Sequence, residues 1–102
     1  MTMLHTVNKS PFERNSLQSC IEHAKEGSAV LLMEDGIYGA IKGTEKSDMV
    51  SKAMGSVKFY VLGPDLDARG ISKDKVIEGI QVVDYNGFVD LAAEHSATQS
   101  WL

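Results

Sequence analysis

AVLLMEDGIYG, residues Ala29–Gly39, decides how the rest of the chain must be arranged. Five apolar residues in a row, Ala29 to Met33, stop at Glu34-Asp35-Gly36, and a short helical-looking segment follows. A strand wetted on one face alternates apolar and polar side chains, whereas one that is apolar at every position is buried on both. Burial on both faces requires helices above and below the sheet. Asp35 stands where its carboxylate can accept the free N–H groups of the next turn. In open parallel sheets that carboxyl edge is where ligands and partners meet the protein.

Working backwards, Met3–Val7 is short and rich in strand formers, and reads as the first strand. Ser10-Pro11-Phe12-Glu13 matches a capping box with proline at the first helical position. It predicts a helix running to Lys25 or Glu26, with Gly27 supplying the left-handed stop. Leu17, Cys20, Ile21 and Ala24 give that helix its apolar stripe.

Working forwards, Ile37–Ile41 reads as a brief helix broken by glycines. Asp48–Met54 reads as a better one, with Met49, Val50, Ala53 and Met54 on one side. VKFYVL, Val57–Leu62, is a third strand stopped by Gly63-Pro64. Asp65–Arg69 makes one helical turn, and Ser72–Gly79 carries no clear pattern. Ile80–Val83 is a fourth strand. Asp84 caps a last helix whose expected inner face is Tyr85, Phe88, Val89 and Ala92, before a tail ending in Trp101-Leu102. Strands alternating with helices predict one domain over residues 1–102, a three-layer α/β/α fold on a mainly parallel sheet of four to five strands.

The 102 residues can bury a proper core. Hydrophobic residues at 43% and charged ones at 24% fit a soluble globular chain. No apolar run approaches the roughly 20 residues of a membrane span, and the N-terminus lacks the basic-then-apolar order of a signal peptide. A cytoplasmic protein is the expectation. The net charge is −4 and the basic residues are scattered, so a nucleic-acid surface, which needs a basic stripe, is not expected.

The motifs of common chemistries are missing. Gly36, Gly39 and Gly43 form no GxGxxG, and Lys42-Gly43-Thr44 is not the Gly-Lys-Thr order of a phosphate loop. His5, His23 and His95 show no metal-ligand spacing to each other or to Cys20. No cofactor or metal is implied, and His5, inside a strand, reads as a core histidine with its bonds satisfied.

One reactive candidate remains. Cys20 is the chain's one cysteine, so it makes no internal disulfide and belongs to no CxxC motif. On an ideal helix with Leu17 at zero, Cys20 falls near ~300° and His23 near ~240°. That sets the thiol at the margin of the apolar stripe, with His23 three residues on as a candidate thiolate partner. A boundary thiol of this kind is reactive; a free cysteine packed in a core is inert.

LHTVNKSPF, LLMEDGIYGA, KFYVLGPDLDARG, VVDYNGFVDL and the terminal SWL together resemble the DsrH/TusB family of small sulfur-relay proteins, in the same order and along almost the whole chain. The resemblance implies a Rossmann-like or flavodoxin-like subunit of an α2β2γ2 heterohexamer built from three homologous chains. In the DsrEFH form the sisters are DsrE and DsrF, and the assembly serves intracellular sulfur oxidation with DsrC. In the TusBCD form the sisters are TusC and TusD, and persulfide sulfur passes from TusA toward TusE for 2-thiouridine formation in tRNA. Cys20 on the first helix resembles the DsrH branch and points to sulfur oxidation. By the same resemblance, Cys20 is a candidate persulfide acceptor, although the better-established persulfide cysteine lies in the sister DsrE/TusD chain. Made alone, such a chain is expected to self-associate, with Tyr38, Tyr60 and Trp101 as candidate contacts.

Overall fold

The computed structural model describes residues 2–101; Leu102, the last residue of the SWL stretch, lies outside them. The chain runs β1 (Met3–Val7), α1 (Ser16–His23), β2 (Ala29–Leu32), a 3-10 segment (Glu34–Ala40), α2 (Ser47–Ala53) and β3 (Lys58–Leu62). Then follow α3 (Gly63–Ala68), a 3-10 turn (Lys73–Lys75), β4 (Gln81–Val83), α4 (Tyr85–Glu94) and β5 (Ala97–Trp101). The five strands form one sheet in the order β4-β3-β2-β1-β5, and every pairing is parallel. This is the expected α/β fold.

All four residues of β2 are buried, as its unbroken apolar run requires. Alternation along the strands feeds two separate cores. Val7, Val30, Leu32, Phe59 and Val61 point to one face, where they meet Leu17 and Cys20 of α1, Val50 of α2, Leu66 of α3 and Ile37 of the 3-10 segment. Leu4, Ala29 and Leu31 point to the other and meet Leu91 of α4, flanked by Tyr60, Val83 and Phe88. The strand order explains the inequality. Every step from β1 to β4 moves one place across the sheet, and only the β4-to-β5 return has to cross it. Four interstrand spacings come to about 19 Å, and the 10 residues of α4 span about 15 Å of that distance. No helix among the described residues is long and apolar enough to cross a membrane.

Several local expectations give way. The capping box at Ser10 closes a separate turn: Ser10 Oγ accepts from the Phe12 N–H, and its carbonyl accepts from Glu13 and Arg14. The helix proper begins at Ser16 and stops at His23, ahead of Gly27, whose φ of +88° takes the loop into β2. Asp35 does not cap the segment that follows β2; Met33 occupies that position with no side-chain bond. Gly63-Pro64, read as a strand stop, also starts α3.

The inner face of α4 is also different. Tyr85 and Val89 are 58% and 65% exposed, Ala92 is exposed, and Leu91 and Phe88 point inward. The cause is Gly87. A Cβ there would sit 2.8 Å from Val83 Cβ, so the helix approaches the sheet on its glycine and rolls the Tyr85–Val89 side outward. The cap at Asp84 is as expected, with Oδ1 accepting from the Gly87 N–H at 2.8 Å. β5 emerges from the unassigned tail, its residues 97–100 exposed.

Candidate functional site

Cys20 lies midway along α1, and the helix wheel places it at the edge of the apolar stripe. In the fold it is fully buried. The reason lies outside the helix. α1 packs not only over β1 but also against α2 on one side and β5 on the other, so the flank that the wheel leaves open is covered. Burial removes the water that would solvate a thiolate, and the Cys20 thiol is pushed up to about 12. At neutral pH about one such thiol in a hundred thousand is ionised. The nucleophile in thiol–disulfide or persulfide chemistry is the thiolate, so Cys20 in this conformation has neither charge nor access.

His23 lies at the end of α1 and is exposed. Its Nδ1 donates to the Ser19 carbonyl at 2.7 Å, because a carbonyl only accepts. Its ring lies 5.7 Å from that of Trp101. The His5 ring also lies near the same indole, with ring centroids 6.1 Å apart and the planes tilted by 44°. Trp101 Nε1 donates to His5 Nδ1 at 3.0 Å. An indole N–H can only donate, so His5 Nδ1 is unprotonated and the neutral ring carries its proton on Nε2. Burial lowers the His5 pKa below its ordinary value.

Thus β1, α1 and β5 bring together a His5–Trp101–His23 cluster of tilted rings that the residues one by one did not announce. Sequence reading marks His5 as a satisfied core histidine and Trp101 as a candidate contact, but their pairing depends on β5 lying beside β1 in register, Val7 opposite Trp101. The signal was the parity of the strand: His5 and Trp101 share a face only when the tail is extended. Next to these rings lies a cavity of about 390 Å³, lined by His5, His23, Lys25, Ser28, Gln99 and Trp101 among others.

At the carboxyl edge a second cluster ties the loops together. Arg69 Nη2 and Nε donate to Asp35 Oδ1 at 2.9 and 3.2 Å. Asp65 Oδ2 accepts from the Glu34 N–H at 2.6 Å, with Glu34 itself at φ +50°. These two ties clamp the loop after β2 to α3, at Asp65 in its first turn and at Arg69 just past its end. Among the described residues no three of His, Cys, Asp and Glu gather closely enough to hold a metal ion.

Comparison with known proteins adds family context. The DsrH family model, described as DsrH like protein, matches residues 9–98. The chain is 35% identical over 100 residues to Protein TusB of Pectobacterium parmentieri, a match that spans 97% of this chain and 100% of that protein. Its fold superposes on the crystal structure of the ychN protein from E. coli with a TM-score of 0.83, at 14% identity and over 99% of both chains. A protein of unknown function from Methanobacterium thermoautotrophicum superposes with a TM-score of 0.74, at 21% identity and over 97% of both chains. These two likenesses speak for the fold alone.

Proposed function

The chain belongs to the DsrH-like family, and on that premise we propose that it is a TusB-type subunit of a sulfur relay serving 2-thiouridine formation in tRNA. The observation that carries this reading is the identity to a TusB protein along that protein's full length. The chain then stands beside TusC-like and TusD-like sisters in a cytoplasmic hexamer. Sulfane sulfur moves from a TusA-like donor to a TusE-like acceptor by way of the TusD-like sister's cysteine.

In this reading Cys20 is a packing residue. Carrying sulfur would require its thiolate to attack a donor persulfide and later yield the outer sulfur to another thiolate. A fully buried thiol with its ionisation pushed up to about 12 supports the structural role instead. What this chain contributes is a wall against which its sisters order themselves. The exposed Tyr85–Val89 side of α4 is part of what such a wall has to offer.

The second reading, a DsrH-type subunit beside DsrE and DsrF handing sulfur to DsrC in sulfur oxidation, rests on one observation, the cysteine on the first helix. One experiment separates the readings. The chain is supplied to a strain lacking its own TusB-type subunit, and tRNA 2-thiouridine is measured by mass spectrometry. Restoration by both the wild-type chain and Cys20→Ala is the expected result. No restoration despite co-purification with the TusC-like and TusD-like sisters would move the chain to the sulfur-oxidation reading. Restoration by wild type but not by a folded Cys20→Ala would make the thiol a carrier.

A further inference from the structure

The cavity between β1, the end of α1 and β5 carries a donor set that neither the fold nor the family reading uses. Its wall is Thr2, Met3, His5, His23, Lys25, Ser28, Ser96, Ala97, Gln99 and Trp101, and it contains a lysine, two histidines and no carboxylate. Lys25 is thus the one charged side chain of the lining, in a protein whose net charge is −4.

Two members of the wall, Ser28 and His5, are polar residues that are mostly buried yet keep a donor open to the cavity. Ser28 is 2% exposed, and its hydroxyl makes no hydrogen bond among the described residues. His5 is 3% exposed, with Nδ1 taken by the Trp101 indole, so its remaining donor is Nε2–H. Neither atom is wholly shielded from solvent, and both residues line this one concavity. Gln99 adds amide N–H donors and Lys25 an ammonium. The Trp101 ring, held by its bond to His5 and by the His23 ring, gives the same space a fixed flat side.

Donors without matching acceptors, a cation and a preformed aromatic plane are what a small organic anion requires. A volume of about 390 Å³ is at the small end of ligand pockets. We propose that this cavity binds a small aromatic carboxylate, its carboxylate oxygens accepting from His5, Ser28 and Lys25 and its ring lying against Trp101. The site is independent of the sulfur-relay reading, since it uses neither Cys20 nor the outer side of α4.

Trp101 is the one tryptophan of the chain, so its emission reports on this cavity directly. The full chain is titrated with benzoate, with its neutral counterpart benzamide, and with inorganic phosphate, reading Trp101 fluorescence and the imidazole C–H resonances of His5 and His23. Benzoate should give a saturable change in both signals, and benzamide and phosphate should bind at least tenfold more weakly. Lys25 is exposed, so Lys25→Gln folds normally and should weaken benzoate about tenfold; Ser28→Ala should weaken it several-fold. The proposal is overturned if benzoate moves neither signal up to its solubility limit, if benzamide binds as well as benzoate, or if Lys25→Gln binds as well as wild type.

Discussion

At the scale of the residue, Cys20 and His5 have their ionisation displaced by the same cause, loss of water. A thiol whose ionisation is pushed from near 9 up to about 12 reacts through the small fraction of molecules that open. Alkylation of Cys20 at pH 8 should therefore run on the order of a thousandfold slower than in the denatured chain and should track global unfolding. Mass spectrometry of iodoacetamide adducts against time gives the rate, and a native rate near that of a free thiol would contradict the burial. His5 acts on stability from the acid side. Its folded pKa lies below the unfolded value of about 6.5, so the unfolded chain binds more protons in the interval between them. The contribution of His5 is thus fully present above about pH 6.5, is lost as pH falls through the interval, and levels off below the folded value. Protonation also turns Nδ1 into a donor facing the Trp101 donor. Midpoints of urea unfolding between pH 5 and 8 should show this slope, and Trp101→Phe, which strands the His5 acceptor, should cost about 1–3 kcal/mol at pH 7.5.

At the scale of the element, α4 offers the sharpest contrast. Leu91, 6% exposed, and Val89, 65% exposed, sit two residues apart on one helix. Leu91→Ala should cost about 2–5 kcal/mol, whereas Val89→Ser in the isolated chain should stay within about 0.5 kcal/mol. Denaturant melts of the two variants check the assignment of the inner face. Gly36 gives a second element-level test, because a Cβ there would lie 2.1 Å from the Val7 carbonyl oxygen. Gly36→Ala must push the 3-10 segment off the end of β1, and its midpoint should fall as far as a core truncation's. The same elements show what residue patterns can and cannot disclose. β2 was legible because a run of apolar residues has one physical explanation, burial on both faces. The roll of α4 was not, because it is set by how closely Gly87 lets the helix approach Val83 at the end of β4 and not by the helix's own apolar residues. The Ser10 signal was real but was used for a turn, since Asn15 begins α1 without a side-chain cap.

At the scale of the whole molecule, β5 is what the sequence conceals and the fold depends on. Ala97-Thr98-Gln99-Ser100 carries no apolar alternation, because an edge strand with exposed residues has little apolar surface to bury. Yet its arrival decides that His5 has a partner and that the cavity beside Trp101 has a wall. Among the strands, β5 has few buried side chains to hold it, so native-state hydrogen exchange should show its amides opening well before those of β1 and β2. Equal protection across β1, β2 and β5 would show that the sheet opens as one unit.

Trp101 and His5 stand 96 positions apart. While a ribosome is still at work, β1 can find β2 early, but its other flank stays unpaired until residue 101 has been made and has cleared the exit. A polypeptide built this way completes its sheet only after translation has passed that point. In the meantime the bare side of β1 is a strip that chaperones, or a neighbouring nascent chain, can reach first.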